Sequence, residues 1–130
     1  MTERDGDDLE RFVVAQDEGA IYTHALAELR AGRKTSHWMW FVFPQIAGLG
    51  HSAMAKRFAI DSLDEARAYL RHPVLGPRLL ECVKVLIATH GRDAQQIFGP
   101  IDALKLRSSL TLFHRAAPDA LIFEQALLRF

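Results

Sequence analysis

Two stretches of this chain hold residue types that chemistry needs. The first is residues 34–52, KTSHWMWFVFPQIAGLGHS, where both tryptophans of the chain stand beside Lys34, His37, Gln45, His51 and Ser52. A histidine and the two indoles of Trp38 and Trp40 against an apolar wall can stack a nucleobase, a flavin or another flat ligand. The competing reading is plain core, with the indole N–H groups on backbone acceptors. The second stretch follows Gly99-Pro100. Stepped at helical angles, Asp102, Lys105 and Ser109 form a polar stripe at spacings three and four, flanked by Leu106 and Phe113 on one side and by Ile101 and Leu112 on the other. A simple amphipathic helix has one polar face, and Arg107, Thr111, His114 and Arg115 already supply it. A second stripe must be paired internally or must meet water or a ligand, because an unpaired buried charge is costly. A self-satisfied Asp102–Lys105 pair at the edge of the core is the bland solution; a pocket is the sharper one.

Common catalytic signatures are absent. The chain has no glycine-rich phosphate loop with a trailing lysine, no HExxH, no CxxC and no GxSxG. No two of its six histidines stand at the helical spacing of metal ligands, so no metal site is expected. His24 and His72 read as solvated helix positions, and His90 as a helix C-terminus, where a cation is mildly favoured. The single cysteine, Cys82, lies in the apolar run 79–88, where a small, buried, inert thiol is expected. Glu28 and Arg30, the Asp64, Glu65 and Arg67 group, and the stripe Arg78, Glu81, Lys84 read as ordinary solvated charge.

The elements that must position these residues are all helical. Residues 1–7 read as a disordered lead and 8–130 as one domain. Apolar spacings of three and four predict helices over 8–16 and 20–30, the second followed by Gly32. Residues 38–44 are continuously apolar; Thr35 and Ser36 as caps and Pro44 as a stop favour a short buried helix there. A short helix over 52–60 follows. Ser62 with Glu65 reads as a capping box opening a helix over 63–71, closed by His72-Pro73. Pro77 stands at the first position of a helix over 77–89 that is apolar on most sides and so belongs at the centre. A helical turn over 94–98, a long helix from Gly99-Pro100 to about 116, and a last helix over 118–128 complete a compact, single-domain all-α bundle of about six to eight helices, several of them short. Nothing alternates in the way a sheet requires.

The totals agree. A chain of 130 residues, half of them apolar, is long enough for one core without disulfides. Sixteen basic and 16 acidic residues cancel, which argues against nucleic acid and anionic membranes as partners. The polar, acidic start is no secretory signal, and no apolar run approaches the length of a membrane span. A cytoplasmic protein is expected.

The run HWMWFVFPQIAGLGHS at residues 37–52 resembles the signature of a bacterial and fungal family known as domain of unknown function 1810. So do Ser62-Leu63 with Glu65-Ala66, Tyr69-Leu70 with His72-Pro73, Ile97-Phe98-Gly99, and Asp102 with Lys105, Leu106, Ser108, Ser109 and Thr111-Leu112-Phe113. The resemblance spans nearly all of the chain after about residue 8. It implies an all-helical fold and no established activity. Its motifs fall on the two stretches nominated above. This favours a shared pocket of Lys34, His37, Trp38, Trp40 and Gln45 with Asp102, Lys105 and Ser109, taking a planar, nucleotide-like small molecule, with or without catalysis. No cofactor, reaction or catalytic residue is assigned. The alternative is a protein-interaction or homodimerisation module without chemistry, in which the aromatic segment is an interface.

Overall fold

The computed structural model describes residues 6–130. Its helices are α1 (Gly6–Asp17), α2 (Ile21–Arg30), α3 (Met39–Val42), α4 (Ala53–Arg57), α5 (Leu63–Arg71), α6 (Leu75–Ala88), α7 (Ala94–Phe98), α8 (Pro100–Ala116) and α9 (Leu121–Arg129). The fold is all-α, as the periodicity predicts. Among the described residues, the β pairing is confined to one isolated parallel bridge between Ile46 and Ile60. None of these helices is long and apolar enough to cross a membrane.

The apolar α6 packs on α2, α5 and α9, while α8 packs on α5, α7 and α9 and touches α3. A file of buried rings links four helices. Phe12 of α1 meets Tyr69 of α5 edge-on at 5.3 Å, Tyr69 meets Phe113 of α8 at 5.3 Å, and Phe113 stacks on Phe123 of α9 at 5.9 Å. Such pairs contribute about 0.5–1.5 kcal/mol each beyond simple area burial. Cys82 is fully buried, and burial pushes its thiol pKa up to about 12, the inert state expected of it.

Several local expectations need correction. The lead over 1–7 falls partly outside the described residues, and Gly6 already belongs to α1. Thr35 and Ser36 do not cap α3; Trp38 occupies its N-cap position, and the helix is a single turn. Helix α6 starts at Leu75, two residues before Pro77. The reason is His72, whose Nδ1 accepts from the N–H groups of Val74 and Leu75 while Nε2 meets Glu10 at 2.8 Å. His72 is thus an anchor of the α5–α6 corner rather than a solvated position. That corner is tight: a Cβ on Gly76 would stand 2.1 Å from the Leu70 carbonyl oxygen. Ser62 caps α5 as expected, but Glu65 accepts from the Asp61 N–H, one residue short of a reciprocal box. The reciprocal box belongs to Asp93 and Gln96 at α7. Pro118 lies in a turn ahead of α9, which begins at Leu121. The expected solvated strip on α6 is wired: Arg78 reaches Asp17 at 2.9 Å and Gln16 Oε1 at 3.1 Å, and Glu81 accepts from the Tyr22 hydroxyl.

Candidate functional site

The aromatic segment and the start of α8 meet through the backbone. Two residues past the end of α2, Gly32 turns the chain back with a φ of +72°. The Lys34 N–H then donates to the Ile97 carbonyl at 2.7 Å, tying the segment to α7. Gly99, at φ +82°, links α7 to α8, and Pro100 occupies the first turn, where its missing N–H costs nothing. Lys34 thereby lies beside the first turn of α8.

Its ammonium pairs with Asp102 Oδ2 at 2.8 Å and donates to the Ser36 carbonyl at 2.6 Å. Lys34 is almost buried, its side chain 8 % exposed. A charge so withdrawn from water needs this carboxylate, and removing the partner would be strongly destabilising. On its other side Asp102 Oδ1 meets Lys105 Nζ at 3.5 Å. Lys105 Nζ also sits 4.5 Å over the Trp40 ring, a cation–π contact. Two ammonium groups thus flank one carboxylate, and the second is the more loosely held.

These groups border an open hollow of about 340 Å³ lined by Lys34, His37, Trp40, Asp102 and Lys105, with Gly99 and Pro100 at its edge. A second hollow of about 460 Å³ adjoins it and shares Trp40 and Lys105. Gln45, His51 and Ser52 line this one. Gln45 is held by its backbone, whose carbonyl accepts from the Ile60 N–H at 2.8 Å. The Trp40–Lys105 contact therefore stands between the two hollows.

Five of the eight nominated residues share the first hollow, and Gln45 lines its neighbour. Trp38 and Ser109 line neither. Trp38 is 1 % exposed and packs against Phe43 and Phe98. Its indole N–H donates to Glu28 Oε1 at 2.8 Å, so the two tryptophans cannot form one exposed patch. Ser109 is fully buried, and among the described residues its hydroxyl lacks a hydrogen-bond partner. The stripe on α8 therefore splits, Asp102 and Lys105 facing the hollow and Ser109 the core. Ile101, expected beside the core, is 69 % exposed and lines both hollows.

Glu28, read from the sequence as surface charge, organises the approach to the site. Its carboxylate accepts from the Thr35 N–H at 2.8 Å, the Ser36 N–H at 3.1 Å, the Ser36 hydroxyl and the Trp38 indole. Burial alone would raise its pKa, but these donors outweigh it and hold the carboxyl down at about 2. No local sequence signal marks this role, because the donors it serves lie seven to ten residues further along the chain. Among the described residues, no three His, Cys, Asp or Glu side chains gather closely enough to hold a metal ion.

Fold and site together define a small all-helical protein with a basic, aromatic hollow between a one-turn helix and the start of a long one. The chain belongs to the family described as protein of unknown function (DUF1810), whose model matches residues 6–130. It is similar to the crystal structure of the conserved hypothetical protein Rv1873 from Mycobacterium tuberculosis, with 53 % identity and a TM-score of 0.91 over 95 % of this chain and 86 % of that one. No curated protein matches the chain.

Proposed function

We propose that the paired hollows bind a planar, anionic small molecule of nucleotide-like chemistry. The observation that carries this reading is the convergence of Lys34, Lys105 and the partly exposed Trp40 on one opening with a single carboxylate among them. Lys34 is held in place by Asp102 and Ser36, so it supplies positive potential at little further entropic cost. Lys105, held only by a 3.5 Å contact and the indole face, can turn toward an incoming anion. As it leaves Trp40, the ring face becomes available for stacking, a contact that any base or flavin satisfies. Gln45, His51 and Ser52 line the adjoining hollow, where amide, imidazole and hydroxyl groups suit the polar edge of a heterocycle. A cytoplasmic setting agrees with this ligand class and with one buried thiol.

A thermal-shift panel of nucleoside phosphates and flavin mononucleotide tests the reading. At least one planar anion should raise the melting temperature of the wild type. Lys105→Ala and Trp40→Ala should each weaken the response by about tenfold in apparent affinity, the loss of roughly 1.4 kcal/mol expected for one charge-assisted or stacking contact. Equal responses from all three proteins to every compound would refute it.

A further inference from the structure

Beyond the two hollows the surface continues as an open apolar groove of about 490 Å³ between the exposed side of α8, the loop at Leu49 and the start of α5. Leu104 is 71 % exposed, Leu49 54 % and Leu63 39 %, and all three line it. Scattered exposed leucines need no explanation, but three converging on one concavity mark an interaction surface. Arg107 and Arg115 stand at the same groove, and among the described residues no acidic one lines it. Among the described residues, neither guanidinium has a hydrogen bond, an ion pair or a ring contact. The other groups facing the groove are neutral: Ser108, Thr111, Leu112 and Ile46.

We propose that this groove docks an amphipathic helix of an acidic partner protein, its apolar side chains on Leu49, Leu63 and Leu104 and its carboxylates on Arg107 and Arg115. The chemistry selects this occupant in two ways. Among the described residues the groove offers no strand edge to pair with, so the occupant must satisfy its own backbone hydrogen bonds, as a helix does. A second copy docked through the same face would carry its own arginines to the rim, where like charges repel. From Leu104 to Arg115 the α8 surface runs about 17 Å, which matches roughly three turns of a partner helix. The groove abuts the second hollow and shares Ile46, Leu49, Leu104 and Ser108 with it, while Lys34, Trp40 and Lys105 line only the hollows.

The test is a displayed library of peptides about 16 residues long, selected on the wild-type protein. Enriched sequences should place apolar residues three and four apart beside Asp or Glu. A synthetic peptide of that sequence should bind at least tenfold more weakly to Leu104→Ser and to the Arg107→Glu, Arg115→Glu double variant. Lysine in place of its acidic residues should restore binding to the charge-reversed protein and weaken it on the wild type. Matching circular dichroism and melting curves keep misfolding from imitating the effect. Four outcomes overturn the proposal: no enrichment, enrichment without acidic residues, self-association abolished by Leu104→Ser, or Leu104-dependent binding to anionic lipid vesicles in place of peptide.

Discussion

Glu28 shows how much of the site depends on a residue outside it. One carboxylate gathers four donors from Thr35, Ser36 and Trp38, fixing the chain that carries Lys34 and His37 into the hollow. Because its pKa is depressed to about 2 from the ordinary carboxyl value of 4.5, its contribution to stability is complete above pH 4.5 and is lost as pH falls toward 2. Glu28→Gln should lower stability by about 1.5–3 kcal/mol at pH 7, the range for hydrogen bonds to a charged group. The gap from wild type should close between pH 4.5 and 2, as urea titrations at several pH values will report. Ser109 makes the opposite case. Among the described residues its buried hydroxyl has no partner, so Ser109→Ala should leave stability unchanged or raise it by up to about 1 kcal/mol and leave ligand response intact. At this scale the sequence was a partial guide. Residue type and spacing singled out Lys34, Asp102 and Lys105, but nothing in an unbroken apolar run separates the buried Trp38 from the partly exposed Trp40. That difference arises from which neighbour each indole meets, and Glu28 is ten residues away.

Helices were legible where their signals are local. Ser62 caps α5 and Ser52 caps α4 through their own hydroxyls, and Gly99-Pro100 starts α8, as sequence rules anticipate. Boundaries moved where the decisive group comes from another element or from an unusual donor–acceptor pair. His72 caps α6 with a ring nitrogen while held by Glu10 of α1, a combination that no cap preference encodes. Amphipathicity misled on α8, because its exposed side carries Ile101 and Leu104 as well as arginines. The α5–α6 corner gives the sharpest test at this scale. Gly76→Ala puts a methyl group within 2.1 Å of a backbone oxygen that cannot rotate away. The variant should lose about 2–3 kcal/mol, the upper part of the overpacking range. A melting temperature within a degree of wild type would mean that the corner opens more easily than this packing implies.

For the whole molecule, a helical fold around one core followed from periodicity and composition, since α6 is apolar on most sides and wants burial. The meeting of residues 34–45 with α8 did not follow from either; it depends on one backbone hydrogen bond to Ile97 and on the turn at Gly99. The claim that matters most is that Trp40, and not Trp38, faces a bound planar anion. The chain has two tryptophans, so Trp38→Phe leaves Trp40 as the sole indole emitter and Trp40→Phe leaves Trp38. Titrating flavin mononucleotide and nucleoside monophosphates while following tryptophan fluorescence separates them. Saturable quenching is expected in Trp38→Phe with at least one of these compounds, its apparent affinity weakened about tenfold on adding Lys105→Ala, and Trp40→Phe should be unresponsive. Quenching confined to the Trp38 emitter, or no saturable change in either protein, would contradict it.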